Sequence, residues 1–215
     1  MDPSHARRYK NSEIEVIAAN ILSKSYPQGI SIPIDIDWLA ESHNRVGSIV
    51  PVELLEDKFH VAATLISNPD GYFDIIVDED TFNLQGPRAN FSIAHELGHV
   101  VLHAQICANC HTIEDSIALR NRITKAYRFI ERNANYFAGA VLMPRRILPE
   151  DAAKLYEVLI KLYGYDINLI PSKMCSRLAE RYYVNPRPME IRLKELNLQT
   201  KVKSALRSRS PYLDF

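Results

Sequence analysis

Hydrophobic positions along the chain follow a helical spacing at first, then alternate with polar ones, and then return to a helical spacing. In the first part, Ile14, Ile17 and Ile21 lie on one helical face. Ser12, followed three residues later by Glu15, predicts a capping box at the start of this helix. The Pro-Gln-Gly sequence downstream predicts its end, and a shorter helix is predicted at about 36–42.

Alternation replaces this spacing on both sides of the turn Asn-Pro-Asp-Gly at 68–71. The flanking segments 60–66 and 72–80 are therefore predicted to form a β-hairpin. After the hairpin, helical spacing predicts further helices at about 89–104, 123–142, 150–163, 172–182 and 188–196. A small antiparallel sheet followed by helices indicates an α+β fold.

The chain has 215 residues, enough for one full domain or for a domain with a small appendage. Its 47% hydrophobic and 24% charged residues are typical of a globular protein and exclude the disordered and fibrous classes. The sequence has neither a signal-like apolar segment near its start nor a run of about eighteen apolar residues. We therefore expect a cytoplasmic protein with no membrane contact, whose three cysteines are thiols or metal ligands.

The sequence HELGH at 95–99 matches the H-E-x-x-H pattern of zinc hydrolases. On a helix, positions i and i+4 lie one turn apart on the same face, so His95 and His99 are able to bind one zinc ion. Glu96 lies beside them, where it is able to take a proton from water. Because the neighbouring residues are largely apolar, this helix is predicted to be buried, and its imidazoles then need partners such as a metal.

A catalytic zinc site usually has three protein ligands, so a third ligand is needed. His103 continues the spacing of the motif, but it lies about 12 Å from His95 along a helix that rises about 1.5 Å per residue. We therefore expect His103 to lie near the end of the helix, where a cation suits the helix dipole, and not to bind this metal. His111, Glu114 and Asp115 follow in a polar stretch that is typical of a loop, and they stay open as ligands.

Glu131 is a better candidate for the third ligand, because it lies close to the apolar face of the next long helix. At about 100° per residue, it projects within about 20° of Ala138, a member of that face. An acid directed at a core is unfavourable unless it is neutralised or bound to a metal, and the alternative is a salt bridge to Arg128 or Arg132. Asn135, one turn farther on, is placed to hydrogen-bond a ligand histidine and fix its tautomer.

Two segments of the chain, FSIAHELGHVVLH at 91–103 and ERNANYFAGAVLMP at 131–144, resemble the paired signature of the ImmA/IrrE family of zinc metallopeptidases. The resemblance extends over roughly residues 12–150. It implies a zincin-like, gluzincin-type domain with Glu96 as the general base, Asn135 behind the ligands, and zinc bound by His95, His99 and Glu131. Departures at Ser92 and at 139–141 lie outside the metal-binding positions and concern the fit of the substrate.

The same resemblance implies a function. Members of the family cleave helix-turn-helix repressors and thereby release the genes that those repressors control. The expected activity is a zinc-dependent endopeptidase that acts on a regulatory protein. Because the chain begins directly with the first helix of the family, we expect the repressor to be a separate protein.

Cys107, Cys110 and His111 follow the H-E-x-x-H motif and raise the question of a second site. Their spacing matches the C-x-x-C-H pattern of c-type haem attachment, but that attachment requires export, for which we find no signal. A structural zinc completed by Cys175 or by an acid is one alternative. We favour a loop with two incidental thiols, which also offers an oxidation switch. One catalytic zinc ion per chain is therefore expected.

Positive charge is concentrated near the carboxyl end, although the formal net charge of the chain is zero. Residues 171–215 carry 10 basic and 4 acidic side chains, whereas residues 1–170 carry 16 and 22. We expect a peptidase domain at 1–165 and a basic helical appendage at 166–215, which either resembles a helix-turn-helix or holds the substrate. Two alternatives to a peptidase are less favoured. The turn VNPRP is richer in proline than a usual helix-turn-helix, which argues against a DNA-binding regulator. The presence of Glu96 argues against a zinc-bound sensor without turnover.

Overall fold

The computed structural model describes residues 7–84, 86–121 and 125–213. Contacts within the chain divide it into two compact units, Met1–Leu142 and Met143–Phe215. The segment 148–163, which we assigned to the peptidase domain, therefore groups with the carboxy-terminal helices. The functional boundary at residue 165 remains a prediction.

The N-terminal unit contains a small sheet and several helices, which confirms the predicted α+β class. In its described part, the elements in chain order are α1 (Asn11–Ser25), α2 (Ile36–Glu41), β1 (Val46–Val52), α3 (Leu55–Phe59), β2 (Ala63–Ser67), β3 (Phe73–Asp78), α4 (Glu79–Asn83), α5 (Pro87–Cys107), α6 (Ile113–Arg120) and α7 (Lys125–Leu142). Residues 123 and 124, where we predicted the start of α7, lie outside the described residues.

The three strands form one mixed sheet in the order β1-β3-β2. β2 and β3 pair antiparallel, with Leu65 opposite Ile75, and form the predicted hairpin. β1 pairs parallel with β3, with Val50 opposite Ile76, so the expectation of a purely antiparallel sheet was wrong for this strand. Alternating hydrophobic and polar residues around a turn predict a hairpin, because its two strands are neighbours in sequence. A parallel partner strand is reached only through a longer crossover, so the same pattern does not predict it.

The first helix begins two residues earlier than its predicted capping box. α1 follows Lys10, whose backbone N–H donates to the carboxylate of Glu13 at 2.8 Å. The box predicted at Ser12 and Glu15 is therefore wrong. Glu15 instead accepts a hydrogen bond of 2.8 Å from the hydroxyl of Tyr136, which ties α1 to α7.

α6 occupies the polar stretch that we interpreted as a loop. The hydroxyl of Thr112 accepts from the backbone N–H of Asp115, and the carboxylate of Asp115 accepts from that of Thr112, both at 3.1 Å. This reciprocal pair caps the helix. None of the residues of α6 is fully buried, so hydrophobic spacing alone did not reveal it. The Thr112–Asp115 pair was the available signal.

α5 and α7 pack closely against each other, and α5 also contacts β2 and β3. Gly98 allows this approach, because a β-carbon there would lie 3.1 Å from Cα of Ala134 and 3.1 Å from Cδ1 of Phe137. The helical geometry of α5 is interrupted at His103, which has φ −131° and ψ 17°. α7 ends immediately before Met143 and Pro144, as predicted.

The C-terminal unit consists, in its described part, of α8 (Leu148–Tyr163), α9 (Leu169–Tyr182), α10 (Pro186–Glu195) and α11 (Leu198–Ser208). The first three match predicted helices, and α11 was not predicted. Asp151 accepts hydrogen bonds from Arg181 and Tyr182, each at 2.8 Å, and thereby joins α8 to α9. The fully buried Arg192 donates from Nε to the carbonyl of Met143 at 3.0 Å.

Candidate metal centre

α5 and α7 bring together three side chains that are able to bind a metal: His95, His99 and Glu131. Nε2 of His95 lies 3.0 Å from Nε2 of His99. The carboxylate of Glu131 approaches both rings, with Oε2 at 3.4 Å from His95 Nε2 and Oε1 at 3.2 Å from His99 Nε2. All three ligand atoms lie within 4.8 Å of one another, and we call this group the candidate metal centre.

The chemistry of these groups fits a bound cation. Two imidazole nitrogens point at each other and at a carboxylate, so electron pairs converge on one small volume inside the unit. Oε1 of Glu131 is buried and forms no hydrogen bond within the described part of the chain, although His99 is close. A set of two histidines and one carboxylate is a common ligand set of catalytic zinc.

Asn135 orients His95 from the side away from the other ligands. Its amide Nδ2 donates to the backbone carbonyl of Glu131 at 2.9 Å, which fixes the amide orientation. Oδ1 then faces Nδ1 of His95 at 3.2 Å, so Nδ1 carries the proton and donates. The lone pair of His95 is thereby left on Nε2, the atom that faces the candidate metal centre.

Charge at the centre is shared between Glu131 and His95. Burial has the largest single effect and disfavours the charged form of each group, but the close groups of opposite charge together outweigh it. The pKa of Glu131 is therefore held well below its usual range, and the pKa of His95 is raised. An ionised carboxylate at this position is what a metal ligand requires.

Glu96 lies next to the candidate metal centre and pairs with a residue that the sequence analysis missed. Nη2 of Arg120, the last residue of α6, donates to Oε1 of Glu96 at 2.9 Å. Burial disfavours the charged guanidinium, yet the charges of Glu96 and Glu131 outweigh it and raise the pKa of Arg120. No sequence signal pairs these two residues, because 24 positions separate them.

An open cleft of about 270 Å³ gives access to the centre. Residues of α5, α6 and α7 line this cleft, together with the start of β2. Its lining includes Ala63, Phe91, His95, Glu96, Arg120 and Glu131. A peptide carbonyl entering this cleft would therefore meet the proposed base and the candidate metal centre together.

Cys107, Cys110 and His111 are not brought together in the same way. In the described residues, no other group of histidine, cysteine and acidic side chains converges as the candidate metal centre does. Cys107 and Cys110 are buried and form no disulfide, and burial raises the pKa of the Cys107 thiol. The ring of His111 donates from Nδ1 to the carbonyl of Ser67 at 3.0 Å. The structure therefore does not support a second metal site here.

The remaining sequence candidates lie apart from the centre or behind it. Asp115 caps α6. His103 is buried against the ring of His99, and burial, followed by the charge of His99, lowers its pKa to about 3. The expectation of a cation at His103 was therefore wrong. A further residue of α7, Tyr127, is also buried beside Glu131, where burial and the charge of that acid raise its pKa.

A solved structure named as a Mycobacterium tuberculosis transcriptional regulator matches with a TM-score of 0.51 and 21% sequence identity. The match covers 86% of this chain, and the chain spans 57% of the length of that one, so the likeness concerns the fold. No protein with a curated function matches the chain.

None of the helices in the described ranges is long and apolar enough to cross a membrane.

The sequence profile of the IrrE N-terminal-like domain, a peptidase family, matches residues 83–194. This match covers more than half of the chain and includes the candidate metal centre, Glu96 and Arg120. The chain therefore belongs to the IrrE N-terminal-like family of peptidases.

Proposed function

We propose that the protein is a zinc-dependent endopeptidase that hydrolyses a peptide bond in a regulatory protein. The observation that carries this proposal is the convergence of His95, His99 and Glu131 beside Glu96 in one open cleft. Membership of a peptidase family supports the reaction class. The three converging residues would hold the metal, and Glu96 would act as the general base.

The residues of the chain divide the work of hydrolysis. When bound, zinc supplies a Lewis acid for the peptide carbonyl and makes a nearby water acidic enough to ionise close to neutral pH. Glu96 takes the proton of the attacking water and passes it to the leaving amide nitrogen. Asn135 keeps the ring of His95 in the tautomer that presents Nε2 to the centre.

For the substrate we propose a separate helix-turn-helix transcriptional repressor, whose cleavage switches on gene expression. The support is the resemblance of the two metal-site segments to the ImmA/IrrE family. The open cleft agrees with a protein substrate, since a peptide strand needs access from solvent. A peptidase domain at 1–165, a C-terminal appendage at 166–215 and a cytoplasmic location remain predictions.

The experiment that tests this proposal is a search for new amino termini. Zinc-loaded protein and its Glu96→Gln variant are incubated separately with a bacterial cell extract, and new peptide termini are identified by mass spectrometry. We expect termini that depend on Glu96 and that map to a transcriptional repressor. Termini in unrelated proteins alone would contradict the substrate, and none in any protein would contradict the peptidase.

A DNA-binding regulator is the second candidate, since residues 171–215 have an excess of positive charge. Much of that charge is engaged within the C-terminal unit, where ion pairs involve Arg177, Arg181, Arg187, Arg192 and Lys194. We therefore rank DNA binding below peptide hydrolysis. A duplex of generic sequence that shifts in a gel at low salt, and less at higher salt, would reverse this order.

A further inference from the structure

Arg120 lines the same cleft as the candidate metal centre, although neither helical spacing nor family resemblance identified it. The side chain of Glu96 is only 4% exposed, so most of it is withdrawn from solvent although it borders the cleft. The side chain of Arg120 is 26% exposed and reaches the cleft. A buried carboxylate is unfavourable unless it is paired, and the 2.9 Å hydrogen bond from Arg120 provides the pair.

The helix that carries this arginine is held from several sides. Ser116 forms a hydrogen bond of 2.7 Å with Thr64 on β2. Ile113 and Ile117 pack against a hydrophobic cluster beside the sheet, and Leu119 packs against a second cluster formed by α5 and α7. The position of α6, which carries Arg120, is therefore fixed by the sheet and by both metal-site helices.

The contact uses only one of the two carboxylate oxygens. Oε1 of Glu96 accepts from Arg120, and within the described residues Oε2 accepts no hydrogen bond. A carboxylate has two oxygens that accept hydrogen bonds, so an ion pair at one of them leaves the other for a second donor. A general base must hold its accepting atom within hydrogen-bond distance of the proton, and small displacements lower the rate steeply.

We propose that Arg120 is a positioning residue for Glu96: it holds Oε1 and thereby leaves Oε2 as the oxygen that takes the proton from water. This inference rests on the proposed peptidase function. Arg120 acts through Glu96 and does not bind the metal. Its loss should therefore lower kcat while KM and the zinc content stay unchanged.

The test uses Arg120→Ala, Arg120→Lys and the control Arg88→Ala, which removes an arginine that pairs with Glu56 at the surface. Zinc content and steady-state cleavage of β-casein are measured for each variant beside the parent and Glu96→Gln. We expect kcat of Arg120→Ala to fall about 10- to 100-fold at full zinc content, as is usual when a supporting contact is lost. Arg120→Lys should recover part of that loss, and Arg88→Ala should match the parent.

Added guanidinium separates positioning from a purely structural role. Millimolar guanidinium chloride should raise the rate of Arg120→Ala and leave Arg88→Ala and Glu96→Gln unchanged, because only the first variant has an empty guanidinium position beside an intact Glu96. A second readout does not need turnover. In ¹⁵N NMR spectra, the slowly exchanging guanidinium protons of Arg120 should be lost in Glu96→Gln.

The outcomes distinguish this inference from the proposed function. A parent that holds zinc but does not cleave β-casein or any protein of the extract overturns both. A parent that cleaves, together with Arg120→Ala of parental kcat and reduced thermal stability only, overturns the positioning role and leaves the peptidase standing. The positioning role is also overturned if Arg120→Lys has the full kcat of the parent and added guanidinium does not change the rate of Arg120→Ala. If Arg120→Ala does not fold, Arg120→Lys and the NMR comparison decide.

Discussion

The candidate metal centre and the segment Cys107–His111 contain similar kinds of metal-binding side chain, but only the first brings them together. In the centre, α5 presents His95 and His99 on one face, and α7 adds Glu131 from the opposite side. In the segment, Cys107 ends α5 and the backbone N–H of Cys110 turns back to the carbonyl of Cys107 at 2.9 Å. His111 then bonds to the backbone of β2.

The difference shows that the spacing of residues indicates a metal site only where regular secondary structure fixes the direction in which their side chains point. Two residues four apart on a helix must share a face. Two cysteines at a helix end have no such constraint, because the chain turns between them. Burial of the thiols against apolar neighbours is then the more favourable use of the same residues.

Glu96→Gln should have the largest effect and should separate catalysis from metal binding inside the centre. The amide cannot take a proton, so cleavage of β-casein should fall by about 10²- to 10⁴-fold, the range for a general base. Zinc content should equal that of the parent, because the ligands are intact. A variant with parental cleavage would remove Glu96 from its proposed role.

Glu131→Ala should separate the centre from the cysteine segment most directly. Because a ligand is lost, zinc affinity should fall by more than about 100-fold, beyond the range usual for supporting contacts. Competition with a chromophoric chelator measures this affinity. Glu114→Ala is a matched control, since it removes an acid of α6 outside the centre. Equal zinc affinity in the two variants would require another third ligand.

Asn135→Ala should produce an intermediate effect, because it leaves all three ligands in place but frees the ring of His95. We expect zinc affinity to fall about 10- to 100-fold. The comparison is Asn20→Ala, an exposed asparagine of α1. An affinity equal to that of the parent would show that the 3.2 Å contact between His95 and Asn135 does not orient the ring.

Cys107→Ala combined with Cys110→Ala should have the smallest effect on the metal. We expect one zinc per chain in both the parent and the double variant, with equal affinity. Because buried thiols pack as small apolar groups, the free energy of unfolding should fall by about 1–2 kcal/mol, measured in urea. Two zinc ions in the parent, one of them lost with the cysteines, would make the segment a structural metal site.

Residue spacing already indicated the two long helices of the centre and the face on which each candidate ligand lies. His95 and His99 required only local geometry. Glu131 was distinguished by its position near an apolar helical face. In the structure, its Oε1 lies 3.2 Å from Nε2 of His99. These features were accessible because a helix relates residues that are close in sequence.

Tertiary structure alone decided which distant segments meet. The parallel pairing of β1 with β3 and the ion pair between Glu96 and Arg120 depend on residues that no local period relates. α6 was missed for a related reason: its stability comes from a cap and from packing on β2, and not from a buried face of its own. Helical periodicity orients side chains within an element, but the burial of many elements together selects their partners.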